Sequence, residues 1–186
     1  MKKEARILGI DDGPFDKFRD KTSIVVGTVF RGGASLDAVL SDKITIDGND
    51  STGTLIRMIK RSKFFSQLRC IMLDGIALGG FNVVDISNLY ESTGIPVMTI
   101  MRDMPDLPKI FATLKKLQMD EKITKIKEAG NIHKTGDIYI QCNGLSIAQA
   151  EEFLQISTTN AMIPEPLRIA HIIASGVVRG ESYGNA

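Results

Sequence analysis

The sequence predicts one α/β domain whose mixed sheet starts as an antiparallel three-stranded meander, continues with parallel strands, and has helices on both faces. Two patterns predict this class. The first 47 residues contain three apolar, β-branched runs and no helical spacing, whereas after Asp50 such runs alternate with segments of helical periodicity. A length of 186 residues supplies a core without disulfides or a structural metal, so we expect residues 1–186 to form a single domain.

The meander is predicted from the first three of six strand-like segments, which are residues 5–11, 22–30, 36–47, 68–74, 95–101 and 137–141. The link between the first two is too short for a helix. The paired glycines of "RGGAS" between the second and third favour a tight hairpin. The first and third strands are therefore expected to point the same way.

Helical segments are predicted where apolar residues recur every three or four positions. They are "STGTLIRMIKRSKF" after Asp50, a segment beginning near Asn82, one after Pro108, the lysine-rich stretch 119–129, and two closing segments around Phe153 and Ala170.

Composition excludes some classes of protein. No apolar run approaches the roughly 20 residues of a membrane span, and "MKKEAR" leads directly into a strand pattern rather than a signal peptide. Cys70 and Cys142 each lie within a predicted strand, which is typical of core thiols in a reduced compartment. A net charge of +1 gives no global indication of nucleic-acid binding, so any such binding must use local patches. We expect a cytoplasmic protein without a membrane association.

Three apolar runs end in aspartate, at Asp11, Asp47 and Asp74. Strands that point the same way end at one edge of the sheet, where open α/β sheets bind their ligands. If the fourth strand lies beside the first, the backbones at Asp11 and Asp74 are about 4.8 Å apart, close enough to share a cation. Such oxygen ligands suit Mg²⁺ or Mn²⁺ better than zinc. The alternative is turn formation, which Asp-Gly also favours and which is the simpler role for Asp12 beside "GPF".

Several segments resemble a known family: "IDDGPF", "IDGNDSTG", "LDGIALGGFNVVD", "IPVMTIMRDMP" and "SIAQAEEFLQISTTNAMIPEPLRIAH". Together with the order of elements, they resemble the largely archaeal family of endonuclease V-like proteins, which has the three-layer ribonuclease H-like fold. The resemblance implies that Asp11 and Asp74 are metal-binding aspartates. It also places Arg102 where endonuclease V has a lysine near the site, and a guanidinium can contact a phosphate through two donors.

The chain departs from the endonuclease V pattern in three places. The glutamate of the first helix has no counterpart, so Asp50, or less favourably Asp47, has to replace it. The C-terminal metal-site histidine aligns with Asn143 in "QCNGLS". The tyrosine-bearing wedge is absent from "ITIDGNDSTG", and the His-Pro-Arg stretch after the second aspartate is also absent. Repair of deoxyinosine is therefore not expected.

Other residues are assigned smaller roles. His171 is expected to be a packing or capping residue, and His133 a loop residue. The glycines of "GIALGGFN", with Asn82, could open a phosphate-binding helix, but their spacing matches no nucleotide motif. Five lysines form either a solvated face or a patch that follows phosphates, namely Lys115, Lys116, Lys122, Lys125 and Lys127.

The leading hypothesis is a phosphodiester hydrolase acting on DNA or RNA, in which Asp11, Asp74 and Asp50 hold one or two Mg²⁺ or Mn²⁺ ions and Arg102 assists. Asp47, Asp12, Asn82 and Asn143 are further candidates for this site. Two alternatives stay open: a nucleic-acid-binding module without turnover, and a small-molecule or nucleotide-binding protein. The sequence does not indicate the oligomeric state.

Overall fold

A seven-stranded mixed sheet forms the centre of the protein in the computed structural model, which describes residues 2–159 and 161–182. The strand order is β3-β2-β1-β4-β7-β9-β8. Its first part is the predicted meander, made of β1 (Arg6–Asp12), β2 (Thr22–Arg31) and β3 (Ser35–Thr45), with antiparallel pairing throughout. The β3 strand ends two residues before Asp47, because the chain turns there with a positive φ of 55°.

Two parallel strands continue the sheet on the other side of β1. They are β4 (Leu68–Asp74), which pairs with β1, and β7 (Val97–Met101), which pairs with β4. In this register Ile10 lies opposite Leu73, so the aspartates that follow them end neighbouring strands. The predicted parallel arrangement is confirmed for these strands.

The last predicted strand runs against its neighbour. This strand, β9 (Ile138–Asn143), pairs antiparallel with β7 and also with the short β8 (His133–Thr135). The chain enters β9 from a hairpin at Gly136, whose φ is 58°, and not from a crossover helix, which reverses the direction of the strand. His133, expected in a loop, therefore belongs to a strand.

Helices cover both faces of the sheet, which confirms the predicted three layers. On one face α1 (Ser51–Lys60) and α2 (Ile86–Thr93) bury Leu55, Ile59 and Leu89 against the strands. On the other face α5 (Ile147–Ser157) and α6 (Glu165–Arg179) bury Phe153 and Leu167. No helix among the described residues is long and apolar enough to cross a membrane.

A small hairpin interrupts the segment that was predicted to open a helix near Asn82. It consists of β5 (Ala77–Leu78) and β6 (Asn82–Val83), joined by Gly79 and Gly80, whose φ angles are 56° and 80°. The helix begins instead at Ile86. Its cap is Asp85, whose side chain accepts a hydrogen bond from the Asn88 backbone. The remaining helices, α3 (Leu107–Lys116) and α4 (Asp120–Glu128), pack against this hairpin.

The two cysteines are core groups, as predicted. Cys70 in β4 is fully buried and Cys142 in β9 is partly buried, and both are free thiols. Burial raises the pKa of Cys142 to about 11 and also raises the pKa of Cys70, so neither thiol is reactive at neutral pH.

The alternation of side chains along β1 determines which layer each aspartate faces. Ile7 belongs to the core under α5 and α6, and Leu8 and Ile10 belong to the core under α1 and α2. Because side chains alternate between faces, Asp11 points towards α6 and Asp12 towards α1. The two adjacent carboxylates therefore have different surroundings.

Candidate metal centre

Three side chains converge at the carboxyl ends of β1 and β4. They are Asp11, Asp74 and His171, and each offers one ligand atom within 4.8 Å of the other two. The Nδ1 atom of His171 lies 2.8 Å from Oδ2 of Asp11, at hydrogen-bond distance. Asp11 is buried, and the other two are partly buried. Oxygen and nitrogen atoms of these kinds, at these separations, could contact one small cation.

The third member of the cluster comes from α6, which crosses closely over β1. Gly9 permits this approach, since a Cβ atom there would lie 2.4 Å from the carbonyl carbon of Pro166. The Thr28 hydroxyl on β2 donates a hydrogen bond of 2.6 Å to the Pro166 carbonyl and fixes the start of the helix. From there Leu167 packs into the core, and His171, one turn later on the same side, reaches Asp11.

The sequence analysis missed His171, which was expected to be a packing or capping residue. The contact between His171 and Asp11 could not be predicted from local sequence patterns, because the two residues are 160 positions apart. A usable signal was present in the periodicity of the helix: His171 follows the apolar Leu167 by four residues and is followed at the same interval by Ser175 and Arg179. These three residues line one cavity together with the aspartates.

Like charge and burial govern the protonation of the site. Burial and the neighbouring carboxylate of Asp11 raise the pKa of Asp74, while the positive charges of Arg102 and His171 oppose that rise. Arg102, the residue after β7, places Nη1 3.5 Å from both carboxylate oxygens of Asp74. At that distance the guanidinium acts mainly as a nearby charge and remains able to contact an anion.

Asp12 supports the site from the other face of β1. Its backbone N–H donates a hydrogen bond of 2.8 Å to Oδ1 of Asp11, which orients that carboxylate. Burial, followed by the charges of Asp11 and Asp74, raises the pKa of Asp12 to about 7, although a hydrogen bond from the Gly79 backbone counteracts part of the shift. Near neutral pH Asp12 is therefore close to the midpoint of its titration, and its backbone also orients Asp11.

Asp50 and Asp47 take part in a separate network. The Asp50 carboxylate accepts hydrogen bonds from Asn82 Nδ2 at 2.6 Å and from the Thr45 hydroxyl at 2.9 Å. Burial raises its pKa, but the bonds from Asn82 and Thr45 outweigh this effect and lower the pKa overall. Asp47 accepts a bond of 2.7 Å from the Phe81 backbone. Among the described residues, the cluster with ligand atoms within 4.8 Å contains neither aspartate.

Asn82 and Lys122 also belong to that network. Asn82 Oδ1 accepts a hydrogen bond from the Ser51 backbone and so joins the β5–β6 hairpin to the first turn of α1. Lys122 is buried, and its Nζ donates a bond of 2.6 Å to the Asp47 carbonyl. Of the five lysines expected to form a solvated face or a patch that follows phosphates, Lys122 is therefore buried and has a structural role.

Sheet topology separates Asn143 from the candidate site. Asn143 pairs with Val97 at the start of β7, whereas Asp74 pairs with Ile100 near its end. Three residues of strand are about 10 Å, and the strand β7 lies between the strands of these two residues. Asn143 instead donates a hydrogen bond of 2.9 Å to the Ser87 hydroxyl. The expectation that it replaces a metal-site histidine is wrong, because β9 runs antiparallel.

Comparison with known proteins identifies the family. The family model described as endonuclease dU matches residues 3–178 of the chain. The chain belongs to the endonuclease dU family. One relative, the UPF0215 protein of Methanothermobacter thermautotrophicus, is 49% identical over 191 residues, which cover 100% of this chain and 94% of the relative. A crystal structure of a protein of unknown function from Archaeoglobus fulgidus is 44% identical, with a TM-score of 0.88 over 94% of this chain and 99% of that one.

More distant solved structures share the fold of this endonuclease dU family member. Endonuclease V of Ciona intestinalis, in complex with a 24mer DNA containing an inosine followed by a ribo-adenosine, is 13% identical. Its TM-score is 0.62, over 95% of this chain and 86% of that one. Human ENDOV has a TM-score of 0.61 at 13% identity, over 95% of this chain and 85% of that one. The predicted resemblance to endonuclease V-like proteins is confirmed at the level of family and fold.

Proposed function

We propose that this protein is a divalent-metal-dependent phosphodiester hydrolase that acts on nucleic acid. The convergence of Asp11, Asp74 and His171 in one cleft carries the proposal. The membership in a family described as an endonuclease supports it, and so does the shared fold with an endonuclease V that was solved with DNA.

The donor set fits a divalent cation. Two carboxylate oxygens and one imidazole nitrogen leave positions for water and a phosphate oxygen, and carboxylate-rich sites suit Mg²⁺ or Mn²⁺. When bound, such an ion would activate water and stabilise charge on the phosphate. A hydrogen bond joins Asp11 and His171, so a cation held by both Oδ2 of Asp11 and Nδ1 of His171 would take the place of the proton between them.

The other residues of the cleft would bind and orient the substrate. The cavity of about 340 Å³ around the cluster is lined by the cluster itself and by Asp12, Gly13, Pro14, Phe15, Ser175 and Arg179. Arg102 and Arg179 provide positive charge for a phosphodiester, and the forked guanidinium allows a bidentate contact. The backbone of Asp12 keeps the Asp11 carboxylate in position.

A direct test is cleavage of end-labelled single-stranded DNA, duplex DNA and RNA, each with and without a deaminated base, in Mn²⁺, Mg²⁺ or EDTA. We expect metal-dependent cleavage by the wild type and at least a hundred-fold loss, on the order of 3 kcal/mol, in Asp74→Asn. The exposed Asp137→Asn is the matched control. Cleavage in EDTA, or full activity of Asp74→Asn, would refute the proposal.

One observation favours a second function, nucleic-acid binding without turnover. No carboxylate from α1 joins the cluster among the described residues, so the site has fewer acidic ligands than the sequence analysis expected. Metal-dependent affinity for an oligonucleotide that stays intact after long incubation would support this function over hydrolysis.

A further inference from the structure

The loop between β1 and β2, whose first residues line the candidate metal centre, exposes a phenylalanine. The side chain of Phe18 is 93% exposed, the highest value among the large apolar side chains of residues 2–159 and 161–182 that face solvent. Burial of a phenylalanine side chain stabilises a fold, and Phe18 does not contribute in this way because it faces solvent. The ring of Phe18 is therefore accessible to a ligand.

The backbone of this loop is held in place by its own hydrogen bonds. The Asp16 carboxylate accepts a bond of 2.9 Å from the Phe18 N–H, and the Asp20 carboxylate accepts one of 2.7 Å from the Asp16 N–H. The Asp20 N–H donates a further bond of 2.8 Å to the Asp16 carbonyl. Because the backbone is ordered before any ligand arrives, the ring can bind at a low entropic cost.

The same loop extends the cleft away from the metal cluster. A second cavity of about 400 Å³ adjoins the first and shares Pro14, Phe15 and Arg179 with it. Its other lining residues are Asp16 and Asp20 of the loop and Val178 of α6. The two cavities therefore extend from the cluster to Asp16 and Asp20, the residues on either side of the turn that carries Phe18.

Basic side chains surround Phe18 on this loop. Phe18 lies between Lys17 and Arg19, with Lys21 close behind, and all of these residues are exposed. The carboxylates of Asp16 and Asp20 accept backbone bonds within the loop and Asp16 lies 3.5 Å from Arg19, so three positive and two negative charges leave the loop with a small positive excess. An aromatic ring among basic residues is typical of surfaces that bind unpaired nucleic acid, where bases stack and cations contact phosphates.

We propose that Phe18 stacks on an unpaired base next to the phosphate bound at the Asp11–Asp74–His171 cluster, and that the loop selects single-stranded or locally unpaired nucleic acid. The position of that phosphate rests on the proposed function. The preference for unpaired strands does not, because it follows from the loop alone.

A single introduced fluorophore tests the stacking. The chain has no tryptophan, so Phe18→Trp carries the sole indole and reports directly on its surroundings. In EDTA, we expect a single-stranded oligonucleotide to quench this fluorescence strongly and a blunt duplex of the same sequence to quench it weakly. Leu36→Trp, at a β3 position that is 44% exposed, is the control and should not respond. Equal responses of the two variants would overturn the proposal.

Binding affinities of Phe18 variants for a single-stranded oligonucleotide provide a second test. Phe18→Leu keeps an apolar side chain but cannot stack, so we expect about ten-fold weaker binding of the single strand, in line with base–aromatic stacking, and near wild-type binding by Phe18→Tyr. Quenching and a loss of affinity without any hydrolysis would support the stacking role and refute the proposed function. Hydrolysis by Phe18→Leu with unchanged KM and kcat would support the proposed function and overturn the stacking role.

Discussion

At the scale of single residues, the neighbouring carboxylates of Asp11 and Asp74 make the charged form of Asp74 less favourable in the folded protein. They are close together and largely removed from water, and burial and Asp11 raise the pKa of Asp74. Arg102 and His171 offset part of this repulsion. An arrangement that costs stability in the free protein is typical of a site that a ligand completes.

Replacing Asp11 by asparagine should separate metal binding from structure. The asparagine side chain would still accept the hydrogen bond from the Asp12 backbone but would remove a charge, so the melting temperature without metal should rise or stay the same. The stabilisation by millimolar Mn²⁺ should disappear, because ligand binding stabilises the folded state by mass action. Melting curves in EDTA and in Mn²⁺ measure both effects. A wild type that does not respond to metal would contradict the assignment.

Asp12 should make stability fall with rising pH. Its pKa is about 7 in the folded protein and 3.8 as an unperturbed group, so the folded state binds more protons between these values. The protonated Asp12 side chain therefore contributes its full stabilisation below about pH 4, and this stabilisation is lost as the pH rises through 7. Asp12→Asn should remove this dependence and be more stable than the wild type at pH 8. Urea unfolding at pH 5 and pH 8 checks the prediction, and parallel losses in both proteins would contradict it.

At the scale of elements, the close crossing of α6 over β1 positions the histidine of the cluster. The crossing depends on Gly9, on the Thr28 bond to Pro166, and on small residues of α6 such as Ala170 and Ala174 that pack against Val26. The position of His171 relative to Asp11 therefore depends on the contact between α6 and the sheet.

Gly9→Ala should displace α6 and weaken metal binding. The new Cβ would lie 2.4 Å from the Pro166 carbonyl carbon, a backbone atom that can move only with the helix. We expect a lower melting temperature and a smaller stabilisation by Mn²⁺. Gly176→Ala in the same helix is the matched control: nothing lies within 4 Å of its Cβ, so it should stabilise the protein by about 0.5–1 kcal/mol. If the two variants had the same melting temperature and the same stabilisation by Mn²⁺, the close contact between Gly9 and α6 would be contradicted.

Asp50→Asn tests whether the start of α1 belongs to the metal site. The side chain accepts bonds from Thr45 and Asn82, so its replacement should cost about 0.5–2 kcal/mol of the free energy of unfolding. The response to Mn²⁺ should stay that of the wild type. Melting curves with and without Mn²⁺ measure this response. Its loss in Asp50→Asn would indicate that Asp50 does bind the metal.

At the scale of the whole molecule, two cores on opposite faces of the sheet hold β1 and β4 in the middle. Ile10 and Leu73 are fully buried in the core under α1 and α2, directly before the aspartates of the cluster. Cys70 and Met72 occupy the core under α5 and α6. The candidate site therefore lies at the end of the most enclosed part of the sheet, where its backbone is rigid.

Truncation of these core residues should reduce stability strongly. Ile10→Ala or Leu73→Ala should lower the free energy of unfolding by about 2–5 kcal/mol, since each leaves a cavity in a packed core. Denaturant unfolding measures the change, with Leu36→Ala at the partly exposed β3 position as a control near zero. A loss comparable to that control would mean that β1 and β4 are misplaced.

The sequence alone predicted the six longer strands and the aspartates at the ends of two of them, but not β5, β6 or β8. The strand over 68–74 has the bounds that were predicted, and the meander follows from its short links and the "RGG" turn, because local periodicity and turn chemistry depend on neighbouring residues. The adjacency of Asp11 and Asp74 could be predicted once parallel neighbours were assumed, since strands in one direction end at one edge.

Only the tertiary structure decided which other side chains reach that edge. His171 is 160 residues from Asp11 in the chain and arrives through the crossing of α6 at Gly9, a contact that no local pattern encodes. The hairpin at Gly136 reverses β9 and takes Asn143 to the far end of the sheet, and hydrogen bonds to Asn82 and Phe81 engage Asp50 and Asp47 away from the cluster. Local sequence determines where an element begins and ends, but packing between distant elements determines which side chains meet.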